Sequence, residues 1–351
     1  MQRAIEKFLI ISLLGIFLFS VSIHLKASET SGARLQPSPA TSSQKNGLTS
    51  SQSVIPPVGS TIAITSRADI IELLFGVIIT IIGLLAVALA LYRWKAFFQN
   101  EKDLITISHE LETARQIQSF ILPRETVNIK GLKLAAQYVP MAAVAGDFYD
   151  FIKVDDKRLG VLVADVSGHG VPASLISSMV KIAFSSQLPH AHNPARVLAG
   201  INQILCGKLE SDFVTAAYLF IDTEKQMTAY AGAGHPPLLV WRGSEEEIYE
   251  YGERAIVLGQ LEAAHYQNSD FSLKSGDRFI LYTDGIIEAT NAAGEFFGES
   301  RFKAYITSQA RRSAGNFADE FIRHITDWSG KHLDDALDDD LTLVVVDYKN
   351  S

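Results

Sequence analysis

Four acidic positions in the C-terminal two thirds of the chain stand at the ends of apolar runs. Asp147 lies in Ala145-Gly146-Asp147-Phe148-Tyr149-Asp150. Asp165 closes Val161-Leu162-Val163-Ala164 and opens Asp165-Val166-Ser167-Gly168-His169-Gly170. Asp284 closes Phe279-Ile280-Leu281-Tyr282-Thr283 and is followed by Gly285. Asp339 and Asp340 open Leu341-Thr342-Leu343-Val344-Val345-Val346. A carboxylate at the end of a buried strand is costly without a partner, and one alone is most simply a cap or a turn residue. Four of them, with no matching set of lysines or arginines beside them, demand cations. Oxygen-only ligands select hard ions such as Mg²⁺ or Mn²⁺. Two such ions about 3.5–4 Å apart can bridge a water, lower its pKa and clamp a phosphoryl group. Gly146, Gly168, Gly170 and Gly285 sit beside these acids and let backbone and ligand approach closely.

The elements that must carry the acids are legible from residue 129 onward. LKLAAQYVP, FYDFIKV, RLGVLVADV, FVTAAYLFI, MTAYAGAG, PLLVWR, RFILYTD and LTLVVVDY read as strands. Residues 171–187, 194–209, 298–310 and 316–331 read as helices. Strands come in pairs joined by short turns, with helices inserted in blocks, which predicts an α+β domain with antiparallel sheets rather than a regular βαβ alternation. The chain has 351 residues, 20% of them charged and 47% hydrophobic, with a formal charge of −8. The acidic balance argues against general attraction to nucleic acid. The single cysteine, Cys206, excludes an intrachain disulfide framework and a thiolate zinc site.

The ordered set AGDFYD, ADVSGHG, AGAGHPP, LYTDGIIEA and DDLTLVVV resembles the metal-dependent protein phosphatases (PPM, or type 2C). It resembles most the bacterial branch of the sporulation stage II E and sigma-B regulator phosphatases. ELETARQIQSFILP resembles the helix that precedes the catalytic domain in that branch, and the likeness runs over roughly residues 108–348. The resemblance implies an αββα sandwich of two antiparallel sheets flanked by helices, with two Mn²⁺ or Mg²⁺ ions at one end. It implies that Asp165 bridges both ions, with the backbone carbonyl of Val166 on one of them. Asp147, Asp284 and Asp339 complete the set, Asp339 rather than Asp340 being the ligand of the pair. Asp165, Asp147 and Asp284 are then the catalytic carboxylates. The implied reaction is in-line attack of activated water on phosphoserine or phosphothreonine, without a covalent phosphoenzyme. The implied substrate is a phosphorylated regulatory protein of the anti-sigma-factor-antagonist type. No phosphate-gripping arginine lies near Asp147, as expected of this branch.

Mean hydropathy is +0.14, and two apolar runs account for it. The first, Phe8 to Leu25, follows Arg3 and Lys7 and reads as a transmembrane helix or signal anchor (1–26), with a cleaved signal as the alternative. The second, Ile70 to Tyr92, is long enough to cross a bilayer and ends in Tyr92, Arg93, Trp94 and Lys95. Interfacial aromatics and basic residues there place the rest of the chain in the cytoplasm of an inner-membrane protein. Residues 27–69, rich in Ser, Thr, Pro and Gln, read as a flexible extracytoplasmic loop. Leu104, Ile107, Leu111, Ala114, Gln118 and Ile121 alternate by three and four, a coiled-coil-like seam within a helical linker, 93–122, and an expected homodimer contact. Pro123 stops that helix, and residues 123–351 form the phosphatase-like domain.

Several residues invite rival chemistry. SHEL around His109 suggests the phospho-accepting helix of a sensor histidine kinase, but the expected proline and ATP-lid boxes are missing, so His109 reads as a solvated helix residue. His169 suits a general acid or a turn beside the site. His235, in Gly234-His235-Pro236-Pro237, reads as structural. Asp334 and Asp335 lack EF-hand spacing and read as a solvated loop. Asp150, Asp155 and Asp156 read as turn residues, Glu288 as a helix residue and Cys206 as core. The class rival to the enzyme is a catalytically silent binding module on the same fold.

Overall fold

RLGVLVADV at 158–166 is apolar on both alternating faces, which suits a strand buried between two layers. The computed structural model, which describes residues 67–123, 127–252, 255–330 and 338–349, shows this arrangement. By internal contacts the chain divides at Ile78. Of the first unit, residues 67–78 are described, and they are the opening turns of helix α1 (Arg67–Ile121). The first apolar run and almost all of the loop after it lie outside the described residues, as do Asp334 and Asp335.

In the second unit ten strands form two antiparallel sheets. The first has the order β1 (Leu132–Val139), β10 (Leu341–Tyr348), β9 (Arg278–Tyr282), β6 (Leu238–Arg242), β7 (Glu247–Tyr251). The second has the order β2 (Phe148–Lys153), β3 (Arg158–Val166), β4 (Val214–Asp222), β5 (Met227–Ala233), β8 (Ser269–Ser272). Leu159, Val161 and Val163 of β3, with Ala217, Leu219 and Ile221 of β4, face Phe279, Leu281, Val344 and Val346 of the other sheet. The alternate positions, Leu162, Ala164 and Val166, face outward against Ala173, Val180 and Phe184 of α2 (Val171–Ser185) and Val197 and Ile201 of α3 (Pro194–Leu205). Outside the first sheet, Ile280, Tyr282, Leu343 and Val345 pack on Phe302 of α5 (Gly298–Ser308) and on Phe317 and Phe321 of α6 (Ala314–Ser329). This is the expected αββα sandwich. A single helical turn, α4 (Gly285–Glu288), follows β9 and includes Glu288.

Helix ends follow local chemistry. Asn193 caps α3 by accepting from the Arg196 N–H at 3.1 Å, with Pro194 in the first turn. Ser313 caps α6, and Gly330 ends it in the left-handed region at φ 69°. The four expected helices appear, each ending two to four residues earlier than read. Strands β7 and β8, unanticipated, are short edge strands with exposed polar positions, so they carry little of the apolar signal that reveals a central strand.

The span and the linker are one continuous helix, α1, which ends just before Pro123. Over its first part it is long and apolar enough to cross a membrane. Leu104 and Ile107 of the proposed seam are exposed, whereas Gln118 is buried and Ile121 packs on the α2–α3 layer. The seam therefore divides into an outward part and a part turned to the domain.

Gly160 in β3 is required by packing, because a Cβ there would land on the Tyr218 hydroxyl, which donates to the Ala191 carbonyl at 2.9 Å. Gly160→Ala is expected to destabilise the domain by about 1–3 kcal/mol through overpacking. The denaturation midpoint measures this, and an unchanged midpoint would show that Tyr218 moves aside freely.

Candidate active site

The register of each sheet delivers the acids to one end. In the second sheet Phe148 pairs with Ala164 and Asp165 with Thr215, so Asp147, just before β2, lies beside Asp165 near the end of β3. In the first sheet Tyr282 pairs with Leu343, so Asp284, two residues past β9, lies near Asp339 and Asp340, just before β10. Asp147 and Asp340 are buried, and Asp165, Asp284 and Asp339 are half-buried.

The carboxylates act on one another. Burial pushes Asp147 well above the usual carboxylate range, with further upward pressure from Asp165 and Asp340. Burial, then Asp284, Asp339 and Asp340, push Asp165 up to about 7. Asp339 is pushed up to about 6, chiefly by burial, with the Asp284 and Asp340 charges adding to it. Such a set is held together against its own repulsion, and hard divalent cations are what its all-oxygen donors suit. Among the described residues the acids do not already close into a tight cage. The site brings together all four acids singled out in the sequence. The Val166 carbonyl lies at their edge, packed so closely on Gly146 that a Cβ there would sit 2.8 Å from it.

Three supports escape a reading of the sequence alone. Asp340 accepts from the backbone N–H groups of Met141 and Gly146 at 2.8 Å and of Asp147 at 3.3 Å. Both of its oxygens are thus occupied in folding the loop that presents Asp147. Asp339 accepts from the Asp340 N–H at 2.8 Å. Thr283 donates to Asp147 Oδ2 at 2.8 Å, and Thr342 donates to the same oxygen. The two threonines are tied to each other, the Thr342 N–H donating to Thr283 Oγ1 at 3.1 Å. The third support is Gln118 of α1. Its amide donates to the Ala145 carbonyl at 2.7 Å and accepts from the Ala145 N–H at 3.1 Å. The only hints in the sequence are the polar breaks themselves: threonines within apolar strand ends and a glutamine within an apolar seam.

Other residues fall as follows. Asp150, expected in a turn, is a buried strand residue of β2 paired with Lys181 of α2 at 2.6 Å, because FYDFIK continues the strand and α2 supplies a cation for the inserted acid. Asp155 and Asp156 do lie in the β2–β3 turn. His169 is exposed in the bend after β3, and His109 is on exposed α1. Cys206 is half-buried at the end of α3 rather than in the core. His235 lies between β5 and β6, its Nδ1 2.7 Å from Thr215 Oγ1.

Two layers of antiparallel sheet with helices outside, and an acidic cluster at one end, define a PP2C-type phosphatase domain, and the solved PP2C domain of SiaA from Pseudomonas aeruginosa superposes accordingly. It matches with a TM-score of 0.62 and 26% identity over 70% of this chain and 98% of that domain. A family model described as Stage II sporulation protein E (SpoIIE) matches residues 155–349. Phosphoserine phosphatase RsbU of Bacillus subtilis is 30% identical over 241 residues, 68% of this chain and 70% of RsbU. RsbP of the same organism is 30% identical over 191 residues, 53% of this chain and 47% of RsbP. The chain belongs to the SpoIIE family, and it is an enzyme of the phosphatase class. A model described as the PGF-CTERM motif matches residues 75–95, the apolar stretch of α1, well inside the chain.

The raised carboxylates fix the sign of a pH effect. A carboxyl held above its free value of 3.8 favours the folded state below that pH, and this contribution is lost as pH rises through about 6 for Asp339 and about 7 for Asp165. Cations that bind the ionised set should offset the loss. The rise in Tm on adding Mn²⁺ to chelator-treated protein is therefore expected to be larger at pH 8 than at pH 5.5, by at least about 3 °C. Equal shifts in calorimetry at the two pH values would contradict a carboxylate cation site.

Proposed function

We propose that this chain is a membrane-anchored, Mn²⁺- or Mg²⁺-dependent phosphatase that hydrolyses phosphoserine or phosphothreonine on a regulatory protein. The observation that carries the reading is the meeting of four carboxylates from two opposed sheets, three of which, Asp147, Asp165 and Asp339, are pressed above their normal pKa by burial and neighbouring acids. Asp165 would meet both ions, with the Val166 carbonyl on one, and Asp147, Asp284 and Asp339 would complete the donors. Asp339 suits this better than Asp340, whose oxygens already hold the 141–147 loop. When bound, the ions would neutralise the phosphoryl oxygens and activate the attacking water. The chain's own part is to hold the carboxylates in place through Thr283, Thr342 and Asp340 and to keep cationic side chains from satisfying them.

The phosphoserine substrate follows RsbU and RsbP, both phosphoserine phosphatases by name. The anti-sigma-factor-antagonist class of target follows the family resemblance. Anchoring rests on the apolar length of α1, with the domain on the cytoplasmic side by the basic residues Arg93 and Lys95. The exposed Leu104 and Ile107 leave an apolar strip through which two copies would pair, and Gln118 would carry the state of α1 to the loop before Asp147.

In full-length protein in detergent, Mn²⁺-dependent release of phosphate from a phosphoserine protein is expected to vanish with chelator. Asp165→Asn should lower kcat by at least about 10²-fold, the scale of losing a preorganised electrostatic contact. A wild-type protein that binds Mn²⁺ but releases no phosphate from several phosphoproteins would favour the silent binding module.

Gln118→Leu leaves the Ala145 backbone groups without their side-chain partner, a loss of about 1–3 kcal/mol. It is expected to lower kcat about tenfold while the domain stays folded by circular dichroism. Unchanged turnover would separate α1 from the site.

A further inference from the structure

His235 sits at the same end of the sandwich as the acids, yet the reaction as described makes no use of it. Its Nδ1 is 2.7 Å from Thr215 Oγ1. Thr215 is the register partner of Asp165, and register partners project from the same face of a sheet. Asp147, Asp165 and Thr215 therefore form one polar row across the ends of β2, β3 and β4, on the face turned to the first sheet. His235 is the next group in that row. Its buried Nε2 makes no well-formed hydrogen bond, and the backbone carbonyl of Tyr282 is the polar group that acts on the ring. Tyr282 immediately precedes Thr283 and Asp284. The imidazole thus stands between the strand end that carries Asp165 and the strand end that carries Asp284.

The main chain around the ring is fixed on both sides. Gly234, at φ 66°, bridges to Ala216, the neighbour of Thr215. A Cβ on Gly234 would press on Val257. Pro236 and Pro237 follow, each with its φ locked by the ring. A side chain so mounted has little freedom, which is what holding a neighbour in place requires.

We propose that His235 is a positioning residue: by holding Thr215 against the end of β9 it sets the spacing between Asp165 and Asp284, and with it the affinity for the divalent ions. This rests on the cation site argued above. On one side of Asp165 the sheets are tied through Asp147 and the two threonines; on the other they are tied through Thr215 and His235. Burial pushes the His235 pKa down to about 3, so the ring is neutral at ordinary pH. A neutral ring has one donor and one acceptor nitrogen. Nε2–H directed to the Tyr282 carbonyl leaves Nδ1 to accept from the Thr215 hydroxyl. Outer contacts of this kind typically shift metal affinity by about 10–100-fold when removed.

The test measures Mn²⁺ binding directly, by electron paramagnetic resonance titration of the full-length protein in detergent, alongside its Tm. His235→Leu is expected to raise the Mn²⁺ Kd at least about tenfold. His235→Asn, which keeps an acceptor near the Nδ1 position, should return it to within about threefold of wild type. Thr215→Val removes the hydroxyl at nearly constant volume and should weaken Mn²⁺ binding like His235→Leu. If His235→Leu does not fold, the Thr215→Val titration decides between the outcomes. A folded His235→Leu or Thr215→Val protein with wild-type Mn²⁺ affinity would overturn the proposal, as would a folded His235→Asn as weak as His235→Leu. Failure of the wild type itself to bind Mn²⁺ would instead overturn the cation site.

Discussion

Five carboxylates, Asp147, Asp165, Asp284, Asp339 and Asp340, share one end of a sheet sandwich, and their mutual repulsion is the constraint around which that end is built. Burial in a low-dielectric layer raises the cost of each charge, and proximity raises it again. A fold meets such a cost by supplying cationic side chains, by protonating the acids or by admitting metal ions. Lys181 beside Asp150 shows the first solution a short way along β2. At the strand ends the supports that the structure provides are backbone N–H groups and hydroxyls. Asp340 collects three N–H groups, and Asp147 collects two threonine hydroxyls. These orient the acids without neutralising them, so the charge of the set remains available to a ligand.

The sandwich makes that arrangement possible because the strands are tied along their whole length by register and by an interior of Val, Leu, Ile and Phe. Deep in the molecule the two sheets are joined chiefly by apolar contact. Towards the acidic end, side chains take over: Thr283 and Thr342 reach from the first sheet to Asp147 in the second. Outer layers bear on the same end. Gln118 holds Ala145 from the side of α1, and Gly285 at the start of α4 lies so close to the Asp340 carbonyl that a side chain has no room. A shift of either layer is therefore felt first where Asp147 and Asp284 begin.

The sequence discloses what depends on local pattern. Central strands such as 158–166 and 341–348 are long, β-branched and apolar, and each carries its acid at one end, so both the strand and the exceptional residue are visible. Edge strands 247–251 and 269–272 are too short and polar to stand out. The tertiary roles are hidden for a different reason. Thr283 and Thr342 are ordinary strand residues until β9 and β10 are placed opposite Asp147. Asp340 differs from Asp339 only by the direction in which β10 starts. Asp150 resembles part of a turn because FYDFIK has an acid in its middle, and only the packing of α2 supplies the lysine that makes a buried strand position tolerable. Gln118 resembles an imperfection in a seam, because an amide's value lies in a backbone segment 27 residues away.

Neutrality of the supporting groups is what distinguishes this end of the fold from its opposite end. There, the buried Asp277 pairs with Arg242 and the half-buried Asp347 with Arg278, each acid set on a fixed guanidinium. In such pairs a fixed cation lies at hydrogen-bond range and meets the acid's charge without a mobile ion. Replacing the threonines, the amide and the imidazole of the acidic end by lysines or arginines would relieve its electrostatic strain in the same way, and would fill the place of the ions. Hydroxyls, backbone N–H groups and a neutral histidine instead fix direction while leaving the carboxylates in need of charge. If divalent ions meet that need, as proposed, the strain that the acids impose on the folded chain and the affinity of the site would be one quantity, set by how closely those neutral groups hold the two sheet ends together.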